Sequence, residues 1–221
     1  MDNPTPSSLK ACLSLFFTTL SVCVALITIP ANAQFREKSY SGNQYEYVNG
    51  MSFLTPLKGF VAYSKRVGYT QDSGKTFVDR PVTIQNTNFN GYPVNLTFDF
   101  NINGIIAFTA DSLLIYGDYG LATEPAVLFS RDQGQTWKVV YHQNLTLEGG
   151  NSGVMDMKFP GNTGLGFAIC RGRILKTVNR GQSWTTSYQS PGEYFTKIDF
   201  PSSSEGYVIG SNSIYLTFSN G

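Results

Sequence analysis

Beyond about residue 44, the apolar residues of this chain fall in short runs. Clusters of Gly, Asn, Asp and Ser separate them. Val154-Met155-Asp156-Met157-Lys158-Phe159 alternates apolar and polar at period two, as a half-buried strand does. Gly164 to Cys170 follows as an apolar run, Arg171-Gly172-Arg173 reads as a turn, and Ile174 to Thr177 is a third short strand. The same order occurs at Val48 to Leu54, Gly59 to Tyr63 and Val67 to Thr70. It occurs again at Phe195 to Phe200, Gly206 to Gly210 and Ile214 to Thr217. No stretch of this region has the period of a long helix. The pattern predicts an all-β chain of repeated units with strands a, b and c, a turn, and strand d.

The turns carry the clearest repeat. Thr70-Gln71-Asp72-Ser73-Gly74-Lys75-Thr76-Phe77, Ser130-Arg131-Asp132-Gln133-Gly134-Gln135-Thr136-Trp137 and Thr177-Val178-Asn179-Arg180-Gly181-Gln182-Ser183-Trp184 share the form S/T-x-D/N-x-G-x-T/S-W/F. Thr217-Phe218-Ser219-Asn220-Gly221 begins a fourth. Each residue type has a physical reason. Asp72, Asp132 and Asn179 can accept hydrogen bonds from backbone N–H groups a few residues on. Gly74, Gly134, Gly181 and Gly221 stand where a positive φ is needed. Phe77, Trp137 and Trp184 open the next strand and bury a ring between neighbouring sheets. These residues are read as structural rather than catalytic.

The turn motif resembles the Asp box, or BNR repeat. The whole unit resembles the blades of photosystem II assembly factor-like and sialidase-like propellers, over about residues 44–221. The resemblance implies a β-propeller of four-stranded antiparallel blades that docks on a protein or polymer partner. Phe77, Asn179 and Ser219 depart from the motif's usual Trp and Asp. Approximate units are 44–80, 91–141, 150–189 and 192–221, with the last lacking strand d. The expectation is therefore about four blades from a larger propeller. The turn positions 72 and 132 are 60 residues apart, against 47 for 132 and 179. The long spacing points to an insertion at Ser112 to Pro125, around Tyr116-Gly117-Asp118-Tyr119-Gly120.

The first 33 residues read differently. Lys10 precedes an apolar stretch from Ala11 to Ile29, Pro30 breaks it, and Ala31-Asn32-Ala33 offers a small-x-small cleavage site. This predicts a signal peptide at 1–33, a mature chain from Gln34 without a membrane span, and a secreted, periplasmic or cell-surface location. The alternative is a single transmembrane anchor. Cys12 and Cys23 leave with the leader, so Cys170 has no partner for an intramolecular disulfide. It ends an apolar run and is expected to be buried.

Charge and chemistry narrow the function. Sixteen Lys and Arg against fifteen Asp and Glu leave a net charge of +1, without the basic bias of nucleic-acid binders. His142 is the single His, and no metal constellation or cofactor fingerprint occurs. His142 is expected at a solvated strand end. The sequons Asn95-Leu96-Thr97 and Asn144-Leu145-Thr146 matter only in a eukaryotic secretory pathway. The resemblance raises sialidase chemistry, which needs an arginine cluster, a Tyr with a Glu partner, and an acid. Arg80-Pro81 is the nearest approach to the motif such enzymes carry, and Glu193-Tyr194 places Glu and Tyr on opposite strand faces. The b–c loops hold Lys65, Arg66, Tyr116, Asp118, Tyr119, Arg171 and Arg173, so one rim is expected to join basic side chains with Tyr. The resulting expectation is a non-catalytic exported propeller that binds a protein or glycan partner, with no cofactor. The alternatives are part of a sialidase-like glycoside hydrolase, or a structural segment of a larger surface protein.

Overall fold

The computed structural model describes residues 46–84, 88–89, 92–93, 100–119, 124–143, 153–161 and 163–217. The segment 1–33 expected to be a signal peptide, both sequons and the start of the fourth turn at Ser219 and Gly221 lie outside them. The described residues of the compact unit Asn43–Gly221 form strands without helices. The first sheet is β1 (Val48–Phe53), β2 (Gly59–Tyr63), β3 (Arg66–Thr70) and β4 (Val78–Pro81). Next comes a two-stranded hairpin, β5 (Asn88–Phe89) with β6 (Tyr92–Pro93). The second sheet is β7 (Phe100–Ala107), β8 (Leu113–Tyr119), β9 (Glu124–Ser130) and β10 (Lys138–His142). The third is β11 (Asp156–Lys158), β12 (Gly166–Cys170), β13 (Arg173–Thr177) and β14 (Thr185–Gln189). The fourth has β15 (Lys197–Asp199), β16 (Gly206–Ile209) and β17 (Ile214–Thr217). Strands in each sheet pair antiparallel in chain order. These are the blades of a partial β-propeller, as the pattern predicted.

The blades pack face to face through three separate cores. Each blade's two faces play different parts. The face toward the preceding blade carries the aromatic after the turn. Trp137 is fully buried between the first and second blades, and Trp184 packs between the second and third. It also carries the middle of the first strand, as Ile105, Met157 and Ile198 show. The face toward the next blade carries positions from strands b and c. Phe60, Ala62, Val67 and Tyr69 serve the first interface, and Leu114, Tyr116, Val127 and Phe129 the second. Phe167, Ile169 and Ile174 serve the third. Period-two alternation gives every strand one set of side chains for each neighbour. Cys170 is buried in the second of these cores, where it acts as a small hydrophobe.

The insertion expected at Ser112 to Pro125 is present, but as longer strands and not as a loop: Leu113 pairs with Ser130 where Gly166 pairs with Thr177 in the third blade. Leu113–Tyr119 is strand b of the second blade, and the run Leu113, Leu114, Ile115 is fully buried between two neighbours. The Gly in Tyr-Gly-Asp-Tyr-Gly suggested a turn, but it answers a close backbone approach. A Cβ on Gly117 would lie 1.8 Å from the Asn101 carbonyl oxygen, beside a β-bulge between Ile102 and Gly104. The rest of the additional residues lie between the first repeat turn and the middle of β7, a stretch that contains the β5–β6 hairpin.

Candidate partner-binding surface

The strand order places two kinds of loop at opposite ends of the blades. At one end the repeat turns meet the a–b loops. Backbone N–H groups of Ser73, Gln133 and Arg180 donate to the carbonyls of Leu57, Asp111 and Gly164 at 3.0, 3.4 and 2.8 Å. At the other end the b–c turns meet the connections to the next blade. Gly172 N–H donates to Glu193 O at 2.8 Å, and Ser190 N–H to Gly172 O at 2.9 Å.

The three turns are built alike. The Thr70, Ser130 and Thr177 hydroxyls donate to Asp72, Asp132 and Asn179 at 2.9, 2.8 and 2.9 Å. The same hydroxyls accept from the N–H of Gly74, Gly134 and Gly181 at 2.9, 2.9 and 3.0 Å. Thr76, Thr136 and Ser183 N–H donate to the Asp or Asn oxygen at 2.9, 2.9 and 3.0 Å. Ser73, Gln133 and Arg180, as well as the glycines that follow them, have positive φ. The turn therefore needs two successive left-handed residues, as in a type I′ hairpin. The Trp137 and Trp184 indole N–H groups donate to the carbonyls of Gly134 and Gly181 at 3.1 and 3.0 Å.

These bonds set the charge state of the turn carboxylates. Hydrogen bonds from the Thr76 backbone and hydroxyl lower the Asp72 pKa from 3.8 to about 2. For Asp132, burial pulls the pKa upward, but bonds from Thr136 and Ser130 outweigh it and leave it lowered. Both stay ionised at neutral pH and cannot donate a proton there. Asn179 meets the same geometry without a charge, its amide donating to Ser183 Oγ at 2.8 Å.

The expected basic and tyrosyl rim is only partly assembled. Lys65 is exposed. Arg66 starts β3 and is bound on both sides, to Glu46 at 2.8 Å and to Asp79, with its guanidinium 3.9 Å over the Tyr63 ring. Tyr116 is buried between blades, and burial, helped by Asp156, raises its phenol to about 12. Arg173 is only 5% exposed. Tyr116 and Arg173 thus leave the rim, because strands rather than loops hold them. Asp118 accepts from Asn101 Nδ2 at 2.7 Å. Tyr119 packs edge-on against His142, with ring centres 5.5 Å apart. Arg171 stays at the rim, its guanidinium 4.4 Å over the exposed ring of Tyr194.

Three features had no warning in the sequence. His142 is not solvated: its ring pairs with Glu124 at 2.8 Å, and both side chains are largely buried. Glu193 faces Tyr215, not Tyr194. Its carboxylate accepts from Ser211 N–H at 2.5 Å and from the Tyr215 hydroxyl at 2.9 Å. Those bonds lower the Glu193 pKa, and Glu193 in turn raises that of Tyr215. The couple rests as carboxylate and phenol, which suits a clamp between blades better than an activated nucleophile. Arg80, on the outermost strand of the first blade, sits 5.8 Å from the Tyr69 ring centre. The third feature is a cleft of about 410 Å³ lined by Phe129, Arg131, Asp132, Thr136, Lys138, Val140 and Gln182. The Arg131 guanidinium bonds to Gln182 of the next turn and lies 5.6 Å from the Phe129 ring centre. No cluster of metal-ligating residues occurs among the described residues.

Comparison with known proteins places this geometry in the propeller class. No family model matches the sequence, and no curated protein matches it. The extracellular domain of BT4673 from B. thetaiotaomicron is similar in structure, with a TM-score of 0.58 at 10% identity over 85% of this chain and 22% of that one. The GH74 enzyme of Niastella koreensis gives 0.51 at 14% identity, over 77% of this chain and 28% of the enzyme. The chain thus spans about a quarter of each of these two proteins. A structure of YCF48 bound to a D1 peptide matches at 13% identity with a TM-score of 0.36, over 84% of this chain and 82% of that one. At such identities the likeness to the BT4673 domain and the GH74 enzyme is one of fold.

Proposed function

We propose that this chain is a non-catalytic binding module whose repeat turns are Asp boxes, exported by the segment at 1–33 and engaging an acidic peptide or an anionic glycan. One observation carries the reading. The cleft beside the second turn offers two cations, Arg131 and Lys138, and its one lining carboxylate, Asp132, is held ionised by its own turn. Such a cleft can attract a negative partner and orient it by charge-assisted hydrogen bonds. It has no carboxylic acid poised to protonate a leaving group.

The test is equilibrium binding of polyglutamate peptide and of sulfated and sialylated oligosaccharides to the full chain. Arg131→Ala and Lys138→Ala should each weaken binding of the recognised probe by about tenfold, the loss of one charge-assisted contact. Arg171→Ala, at the opposite end of the blades, should leave it within about twofold. Hydrolysis of a fluorogenic sialoside or β-glucan by the purified chain would refute the reading. N-terminal sequencing of the exported protein should begin at Gln34, and retention of the leader in membranes would favour the anchor.

A further inference from the structure

Each of the two outermost described blades exposes, on one face, apolar residues whose equivalents are buried elsewhere in the molecule. In the first blade this is the face toward a preceding blade. Met51 pairs with Val61 in the register by which Ile105, Met157 and Ile198 pair with Ile115, Ala168 and Val208. Those three equivalents are 6, 3 and 2% exposed, whereas Met51 is 72% exposed; Val61 beside it is 8% exposed, so the open part of this face is the β1 side. Phe53 lies over Gly59 as Phe159 lies over Gly166, yet Phe159 packs into a core and Phe53 is 44% exposed.

The fourth blade shows the converse. Gly206 pairs with Thr217 as Gly59 pairs with Thr70, which aligns Tyr207 and Ile209 with Phe60 and Ala62, and Ile214 and Leu216 with Val67 and Tyr69. Those four first-blade residues lie in the core between the first and second blades. Tyr207, Ile209, Ile214 and Leu216 are 40, 48, 66 and 54% exposed. All four are apolar or aromatic, on a sheet face where a solvated role would favour polar residues.

The chain thus presents one open face of each kind, and the three internal interfaces show that the two kinds pair. Their exposure shows that they do not cover each other within one molecule. We propose that two copies of this chain pair head to tail, the fourth blade of each on the first blade of the other, closing a ring with two identical interfaces. A head-to-tail contact that closes on itself satisfies both faces of both copies, whereas like-with-like pairing of one face leaves the other wet.

Sedimentation velocity and light scattering on the full chain test this. A discrete dimer is expected. Met51→Lys on the first blade and Leu216→Lys on the fourth should each weaken association by at least about tenfold, since each puts a charge into both interfaces. Both sites are exposed within one molecule, so circular dichroism and thermal unfolding should show the fold retained in both variants. Mixing the two variants should restore part of the dimer, because one interface per mixed pair is then free of substitution. A monomer at high concentration would overturn the proposal, as would open-ended polymers. A dimer sensitive to only one of the substitutions would also overturn it, because it would signal pairing of like faces.

Discussion

Asp72, Asp132 and Asn179 hold the same place in three turns, and only two of them can titrate. Because the Asp72 pKa is lowered from 3.8 to about 2, its contribution to stability is full above the unfolded value and is lost as pH falls through that window. The Asp132 pKa moves the same way. The Asp72→Asn/Asp132→Asn variant should therefore show a flatter dependence of urea midpoint on pH between about 4 and 2 than the natural chain. A steeper dependence would assign the acid sensitivity elsewhere. The aromatic after the turn acts twice, filling the interface and donating its indole N–H to the turn glycine's carbonyl. Trp184→Phe keeps most of the ring but loses the donor, and should cost about 1 kcal/mol in denaturant unfolding. Phe77 lacks that donor in the first turn; the departure was readable in the sequence, but the bond it forgoes was seen only in the structure.

At the scale of the element, alternation and turn chemistry made most strands legible. The a, b and c strands of the first, third and fourth blades lie within a few residues of their expected places. In the second blade the added residues fall where expected, but strand was read as loop for an identifiable reason. Gly117 and its neighbours imitate a turn in composition, but a bulged β7 forces the backbones together there, and only a residue without a Cβ fits. Gly117→Ala should destabilise the chain severely, by more than about 3 kcal/mol, or prevent soluble expression, because the obstacle is backbone. Gly192→Ala is a useful contrast. It has positive φ but open space around it, and should cost only about 1 kcal/mol. Equal losses at the two positions in thermal melts would refute the close-approach explanation. The same misreading made Tyr116 a rim residue when it belongs to a core.

For the molecule as a whole, stability resides in the contacts between blades, since each blade alone has two apolar faces and almost no interior. Trp137 is wholly buried between the first and second blades, and Trp137→Ala should cost about 3–5 kcal/mol, measurable by urea unfolding. Because neighbours couple only through shared faces, hydrogen exchange should show the loss concentrated in the first two blades, with β16 and β17 of the fourth least affected. A uniform loss would mean that the stack unfolds as one unit.

The sequence by itself determined the blade. Period-two alternation, a turn that only Asp or Asn, Gly and a hydroxyl residue complete, and an aromatic at the next strand's start are local instructions, readable without coordinates. Tertiary structure decided what those instructions brought together across blades. It buried Tyr116 and Arg173, turned Glu193 to Tyr215 and enclosed the His142–Glu124 pair. It also opened the cleft at Arg131 and Lys138, and left Met51 and Phe53 on the first blade and Ile209, Ile214 and Leu216 on the fourth exposed. Those outcomes depend on how faces formed far apart in the chain meet, and the packing of one sheet on the next fixes that, not the residues on either side.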